Sequence, residues 1–196
     1  MSTLFSSARL ALSASALTLC LIATQANAAQ VEFQTNMGSF TVDVNEKAAP
    51  KTAANFLAYV KSGFYDGTVF HRVIPGFMVQ GGGFTPGMNE KDTKAPIAIE
   101  SRNGLTNQRA TIAMARTADP NSATSQFFIN VANNHFLDAN QASDGYGYTV
   151  FGKVISGMST IDAIAGVKTH SVGFYDDVPL RDVVIKKASI VKSKGK

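Results

Sequence analysis

The sequence predicts a mainly β domain, an antiparallel barrel or sandwich carrying two isolated helices. Short strand-like apolar runs follow one another along the chain, two segments alone have helical periodicity, and the 196 residues include 16 glycines, as frequent tight turns require. A parallel α/β sheet would instead alternate strand with helix. A mean hydropathy of +0.03, with 45% hydrophobic and 16% charged residues, describes an ordinary globular chain of one domain.

Taken in order, Val31, Phe33 and Thr35 alternate with polar neighbours, Asn36-Met37-Gly38 supplies a loop, and Phe40, Val42 and Val44 resume the alternation. This predicts a hairpin. Pro50 suits the first turn of a helix, and Ala53, Phe56, Leu57 and Val60 recur at three-to-four spacing before Gly63. Strand-like runs follow at 68–74, 77–80, 97–99, 111–115, 126–131 and 149–154, a second helix at 157–165 and a closing strand at 182–191. The two helices suit the open ends of a barrel. The connections 82–96, 101–109, 116–125 and 132–148 are long for structural turns, and long loops on a rigid scaffold commonly build binding surfaces.

Residues 1–28 have the form of a secretory signal: Arg9 in a short basic region, an apolar run from Leu10 to Ala23, and a small-residue cleavage site at Ala26-Asn27-Ala28. The run is shorter than the roughly 20 residues needed to span a bilayer. The expected mature chain is therefore 29–196, periplasmic, with no membrane attachment after cleavage. The single cysteine, Cys20, follows Leu19 rather than the small residue of a lipid-attachment site, and it leaves with the signal. A mature chain without cysteine has no disulfide, thiol nucleophile or thiolate metal ligand. The formal charge of +4 is local: all 14 acidic residues lie in 29–185, whereas Arg9, Lys186, Lys187, Lys192, Lys194 and Lys196 do not. The body is mildly acidic, the lysine-rich end reads as a solvated tail, and no basic stripe with interleaved aromatics marks a nucleic-acid surface.

Familiar catalytic constellations are missing. His71, His135 and His170 lack the close spacing of a metal pair, no G-x-S-x-G elbow occurs, and Gly81-Gly82-Gly83 opens no helix and so reads as a sharp turn after a strand. No metal or cofactor is expected. What remains is a run around one arginine, Phe70-His71-Arg72-Val73-Ile74-Pro75-Gly76-Phe77-Met78-Val79-Gln80-Gly81-Gly82. In a strand Arg72 shares a face with Phe70 and Ile74, and Met78 with Gln80. By composition alone, a surface salt bridge is the ordinary use of such an arginine.

This run resembles the signature F-H-R-x-I-P-G-F-M-x-Q-G-G of the cyclophilin family of peptidyl-prolyl cis-trans isomerases, matching all eleven fixed positions of the thirteen. Similarity continues through Ile112-Ala113-Met114-Ala115, Ser125-Gln126-Phe127-Phe128-Ile129, Phe136-Leu137-Asp138 and Val150-Phe151-Gly152-Lys153-Val154. The resemblance implies a closed eight-stranded antiparallel barrel capped by two helices. It places the family's catalytic arginine at Arg72 and its proline pocket at Phe77, Met78, Phe128 and Leu137. Gln80 matches the glutamine that holds the substrate backbone, and Ala115, Arg116 and Gln126 match positions lining the peptide groove. Where Arg116 stands the family often has asparagine.

Two groove-edge positions depart from the best-known eukaryotic pattern: Phe136 replaces a tryptophan and Tyr148 a histidine, and the segment from Asp138 to Phe151 is longer. These departures resemble the bacterial exported subgroup. The implied partners are proline-containing polypeptides, unfolded or partly folded exported proteins among them, with weak cyclosporin binding. Isomerising an X-Pro bond breaks no covalent bond, so a catalyst needs neither nucleophile nor metal, in keeping with what the sequence lacks. The competing expectation is a proline-peptide binding or chaperone module on the same fold, without turnover.

Overall fold

A computed structural model describes residues 29–191. The signal-like segment with Cys20, and Lys192, Lys194 and Lys196, lie outside the described residues. In chain order the elements are β1 (Gln30–Thr35), β2 (Gly38–Val44), α1 (Pro50–Lys61), β3 (Phe70–Ile74), β4 (Met78–Gly81), β5 (Phe84–Thr85), β6 (Asn89–Glu90), β7 (Thr111–Met114), β8 (Phe127–Asn130), a 3₁₀ turn (His135–Leu137), β9 (Val150–Ser156), α2 (Met158–Ala165), β10 (Thr169–Val172), β11 (Tyr175–Pro179) and β12 (Ile185–Val191). Among these residues no helix is long and apolar enough to cross a membrane.

Eight strands form one antiparallel sheet in the order β12-β1-β2-β9-β7-β8-β4-β3. The expected closed barrel is corrected here to a curled, open half-barrel. Its edges β12 and β3 approach at one end, where Val69 and Val184 form an isolated bridge, but no ladder joins them. The chain between Pro179 and Ile185 is irregular, and the β10–β11 hairpin packs along β3 in place of a closing strand. The expected strand at 97–99 is also corrected: Ile97 makes only an isolated bridge to Ala123, because Pro96 cannot donate to a ladder and the segment has no neighbour to extend along.

Alternation decides the β1–β2 hairpin. Val31, Phe33, Phe40, Val42 and Val44 are buried on one face, while Gly38, at φ +124°, lets the chain reverse. The inward aromatics build the core: Phe33 stacks on Phe40 at 4.8 Å, and Phe56 meets Phe127 edge-on at 5.9 Å.

Helix α1 buries Ala53, Phe56, Leu57, Tyr59 and Val60 and starts at Pro50, where a missing N–H costs nothing. Its cap comes from far along the chain: the backbone N–H groups of Lys51 and Thr52 donate to the Glu100 carboxylate at 3.1 and 2.8 Å, an anion placed at the positive end of the helix. Helix α2 follows Gly157, which adopts φ +77°. A Cβ there would lie 2.3 Å from the Ser39 carbonyl oxygen, so close approach as well as conformation requires glycine.

Candidate active site

The outer face of the sheet carries a second, smaller apolar cluster of Met78, Ala113, Phe128 and Val150, with Ile74, Phe77, Leu105, Ala115, Leu137 and Tyr148 packed against it. Strand register sets its composition. The Pro75-Gly76 turn, with Gly76 at φ +70°, folds β4 back on β3 so that Arg72 pairs with Gln80. Gln80 in turn pairs with Phe128, and Phe128 with Ala113. One row across three ladders thus places a guanidinium, an amide and an aromatic ring on one face.

These residues line a cleft of about 550 Å³ with His71, Phe77, Met78, Phe84, Ala115, Arg116, Gln126, Leu137, Tyr148 and the tip of the β10–β11 hairpin. Phe77, Met78, Phe128 and Leu137 form its apolar part. Gln80 Nε2 donates to Gln126 Oε1 at 3.0 Å, and Gln126 occupies space left by Gly83, where a Cβ would meet its Cγ at 2.5 Å. The Arg72 side chain is 44% exposed and makes no hydrogen bond among the described residues; its ionic neighbour is Asp177, 3.9 Å from Nε.

Residues 30–190 match the family model described as cyclophilin type peptidyl-prolyl cis-trans isomerase/CLD. The chain belongs to the cyclophilin family. It is 56% identical over 162 residues, 82% of this chain and 98% of the relative, to peptidyl-prolyl cis-trans isomerase cyp18 of Streptomyces antibioticus. It is 51% identical over 161 residues, again 82% of this chain and 98% of the relative, to peptidyl-prolyl cis-trans isomerase B of Escherichia coli. Among solved structures, a cyclophilin-type isomerase of Cryptosporidium parvum, determined in the presence of the dipeptide Ala-Pro, superposes with a TM-score of 0.72 at 28% identity, covering 84% of this chain and 99% of that one. This cyclophilin is a peptidyl-prolyl cis-trans isomerase.

The cyclophilin cleft gathers ten of the eleven residues singled out from sequence. Phe136 stands apart at the rim, 57% exposed, with its ring stacked on Phe77 at 5.6 Å. Arg116 lines the groove, but its guanidinium is committed elsewhere. With a side chain only 3% exposed, it donates from Nε to the Gly147 carbonyl at 2.9 Å, from Nη1 to the Thr117 carbonyl at 2.9 Å and from Nη2 to Asp144, while lying over the Tyr148 ring. This staple fixes the long segment before β9 and sets Tyr148 edge-on against Phe128 at 5.6 Å. The hydrogen bond from Arg116, then those from the N–H groups of Gly147 and Tyr146, pull the Asp144 carboxyl down to about 2, so the staple stays charged through the neutral range.

Sequence reasoning missed three groups. A buried network holds the pocket rim: Asn134 Nδ2 donates to the Phe77 carbonyl at 2.9 Å and to Asn130 Oδ1 at 2.7 Å, Asn130 Nδ2 to Asn107 Oδ1 at 3.2 Å, and Asn107 Nδ2 to Asp138 Oδ1 at 2.9 Å. Four polar residues scattered over 32 positions carry no local signal. Phe84 lies against His71 at 4.6 Å between centroids, and Phe174, Tyr175, Asp176 and Asp177 arrive on the β10–β11 hairpin.

The three histidines serve different places: His71 is buried in β3, His135 Nδ1 lies 3.0 Å from Asp138 Oδ2, and His170 sits opposite Val178 in the hairpin. Burial first, then the adjacent Arg72 charge, lower His71 from 6.5 to about 4. The imidazole beside the cleft is therefore neutral above that value, whereas an unfolded chain takes up the proton near 6.5. Between these values the unfolded state binds more protons, so His71 withdraws stability as pH falls from about 6.5 and has withdrawn it fully below about 4. Denaturant unfolding of wild type and His71→Asn at pH 7 and pH 4 should show their difference in unfolding free energy shifting by up to about 3 kcal/mol against the wild type at the lower pH. A difference that does not change with pH would mean that the folded protein protonates His71 normally.

Proposed function

We propose that Arg72 is the hydrogen-bond donor to the twisting amide and that this cyclophilin acts on X-Pro bonds of exported proteins. The observation that carries the first part is a guanidinium without a hydrogen bond among the described residues, placed beside an apolar pocket one strand away. Rotation about an X-Pro bond must give up C–N resonance, a barrier of roughly 18–20 kcal/mol, and takes tens to hundreds of seconds unaided. As the bond twists, the prolyl nitrogen becomes pyramidal and its lone pair becomes an acceptor. A guanidinium, always charged and rich in N–H donors, meets that lone pair only once it has formed, and so favours the transition state over either planar isomer. Phe77, Met78, Phe128 and Leu137 hold the pyrrolidine ring while the preceding residue swings, and Gln80, braced by Gln126, restrains the substrate backbone.

Arg72→Ala should lower kcat/KM for an X-Pro tetrapeptide in a protease-coupled assay by about tenfold or more, the loss of ~1.4 kcal/mol of transition-state stabilisation, with an unchanged thermal unfolding midpoint. Normal turnover removes Arg72 from this role, and a variant that unfolds makes the arginine structural.

The export assignment is supported by residues 1–28, with their basic start, short apolar run and small-residue cleavage site. The exported protein should have the intact mass of a chain beginning at Ala29, and retention of residues 1–28 on the soluble protein overturns the assignment.

Cyclosporin is expected to bind weakly, since the family's tryptophan at position 136 would present an indole N–H that phenylalanine lacks. Phe136→Trp should raise cyclosporin affinity about ten- to a hundredfold, the value of one hydrogen bond to an otherwise unpaired buried acceptor. A variant that gains no affinity, or a wild type already binding at nanomolar levels, shows that other contacts hold the drug.

A further inference from the structure

We propose that Asp177, carried by the β10–β11 hairpin, is a positioning residue that orients Arg72 for the reaction. The inference rests on Arg72 being the donor. A half-exposed arginine side chain without a hydrogen bond samples many rotamers, and catalysis by a preorganised donor needs one. Asp177 Oδ2 lies 3.9 Å from Arg72 Nε, an ion-pair contact longer than a hydrogen bond. It addresses the inner nitrogen of the guanidinium and leaves both terminal nitrogens to the substrate.

The surroundings hold Asp177 in place. It adopts φ +60°, a left-handed conformation uncommon for a residue with a side chain, and such strain persists where neighbouring structure imposes it. Tyr175 packs edge-on against Phe84 at 5.4 Å, Phe84 lies against His71, the neighbour of Arg72, and Ser171 Oγ donates to Asp176 Oδ1 at 2.6 Å across the hairpin. A chain of contacts thus runs from the hairpin to the strand that carries the donor. Two effects compete: the carboxylate tempers the positive charge that the prolyl nitrogen meets, and it restrains the guanidinium. Because the pair is half exposed, the charge term is screened, and orientation decides the sign.

The test compares wild type with Asp177→Gly, which keeps the left-handed backbone without strain, and with Asp177→Asn, which keeps the shape without the charge. In the protease-coupled assay both variants should lose about two- to fivefold in kcat, the worth of an exposed ion pair, with KM within a factor of two. In an Arg72→Ala background neither should have a further effect, since a residue acting through Arg72 has nothing left to orient. The Arg72 Nε–Hε resonance should exchange faster with water in both variants. Unchanged or faster turnover overturns the inference, as does an equal loss in the Arg72→Ala background. A wild type active on the peptide and unaffected by Arg72→Ala overturns the role of Arg72 and this inference with it, whereas normal sensitivity to Arg72→Ala beside insensitivity at Asp177 overturns this inference alone.

Discussion

Along β8, Phe127 and Ile129 enter the core while Phe128 turns the opposite way into the cleft, and along β4 Val79 faces inward between Met78 and Gln80. This two-residue alternation is the constraint on which both the stability and the chemistry depend. A one-residue slip of β4 or β8 would exchange the faces, burying Gln80 among the core aromatics and presenting Val79 and Phe127 to the cleft. Burial of Phe127 against Phe33, Phe56, Tyr65 and Phe70 therefore fixes the register that puts Gln80 opposite Arg72. The stable core and the active face are two readings of the same pleat.

A reaction that makes and breaks no covalent bond leaves an enzyme only shape and preorganised polarity to work with, and both require groups that do not yield. The structure supplies that rigidity through long-range polar contacts. Glu100 caps α1 and donates its own N–H to Thr149 Oγ1 at 3.0 Å, tying the helix to the start of β9. The Asn107, Asn130, Asn134 and Asp138 network suspends the pocket rim from the Phe77 carbonyl, and Arg116 staples the loop that delivers Tyr148. Every member of the network is buried with partners, the condition under which polar groups inside a protein specify one arrangement.

Periodicity foretold the elements that bury one face. The β1–β2 hairpin, both helices and the strands around Arg72 and Phe128 lie where alternation or three-to-four spacing placed them, to within one or two residues at most ends. Resemblance to a known signature, rather than periodicity, assigned Arg72, Phe77, Met78, Gln80 and Phe128 to one site. The β10–β11 hairpin escaped because Thr169–Val172 and Tyr175–Pro179 bury little: Phe174 and Tyr175 are exposed, so no apolar face marks them as strands, and Gly173 at φ +59° is one turn glycine among many. The cap by Glu100 and the asparagine network were illegible for a different reason, since each joins residues whose proximity exists only after the sheet has curled.

The failure of the sheet to close shapes one side of the cleft. Had β12 paired along the full length of β3, its backbone and side chains would have covered the outer edge of the strand that bears Arg72, and the cleft would have ended there. Instead the edges meet over a short stretch, where Val69 bridges Val184, the Phe70 N–H donates to the Val183 carbonyl at 2.9 Å and the Ile185 N–H to the Thr68 carbonyl at 2.8 Å, and the rest of β3 is flanked by the β10–β11 hairpin. An unpaired strand edge invites pairing with other chains, so some cover is required on physical grounds alone. Covering it with a hairpin rather than a ladder strand both blunts the edge and raises a second wall beside Arg72, made of Phe174, Tyr175, Asp176 and Asp177. Arg72 then lies between an apolar floor of Met78 and Phe128 and an acidic, aromatic wall.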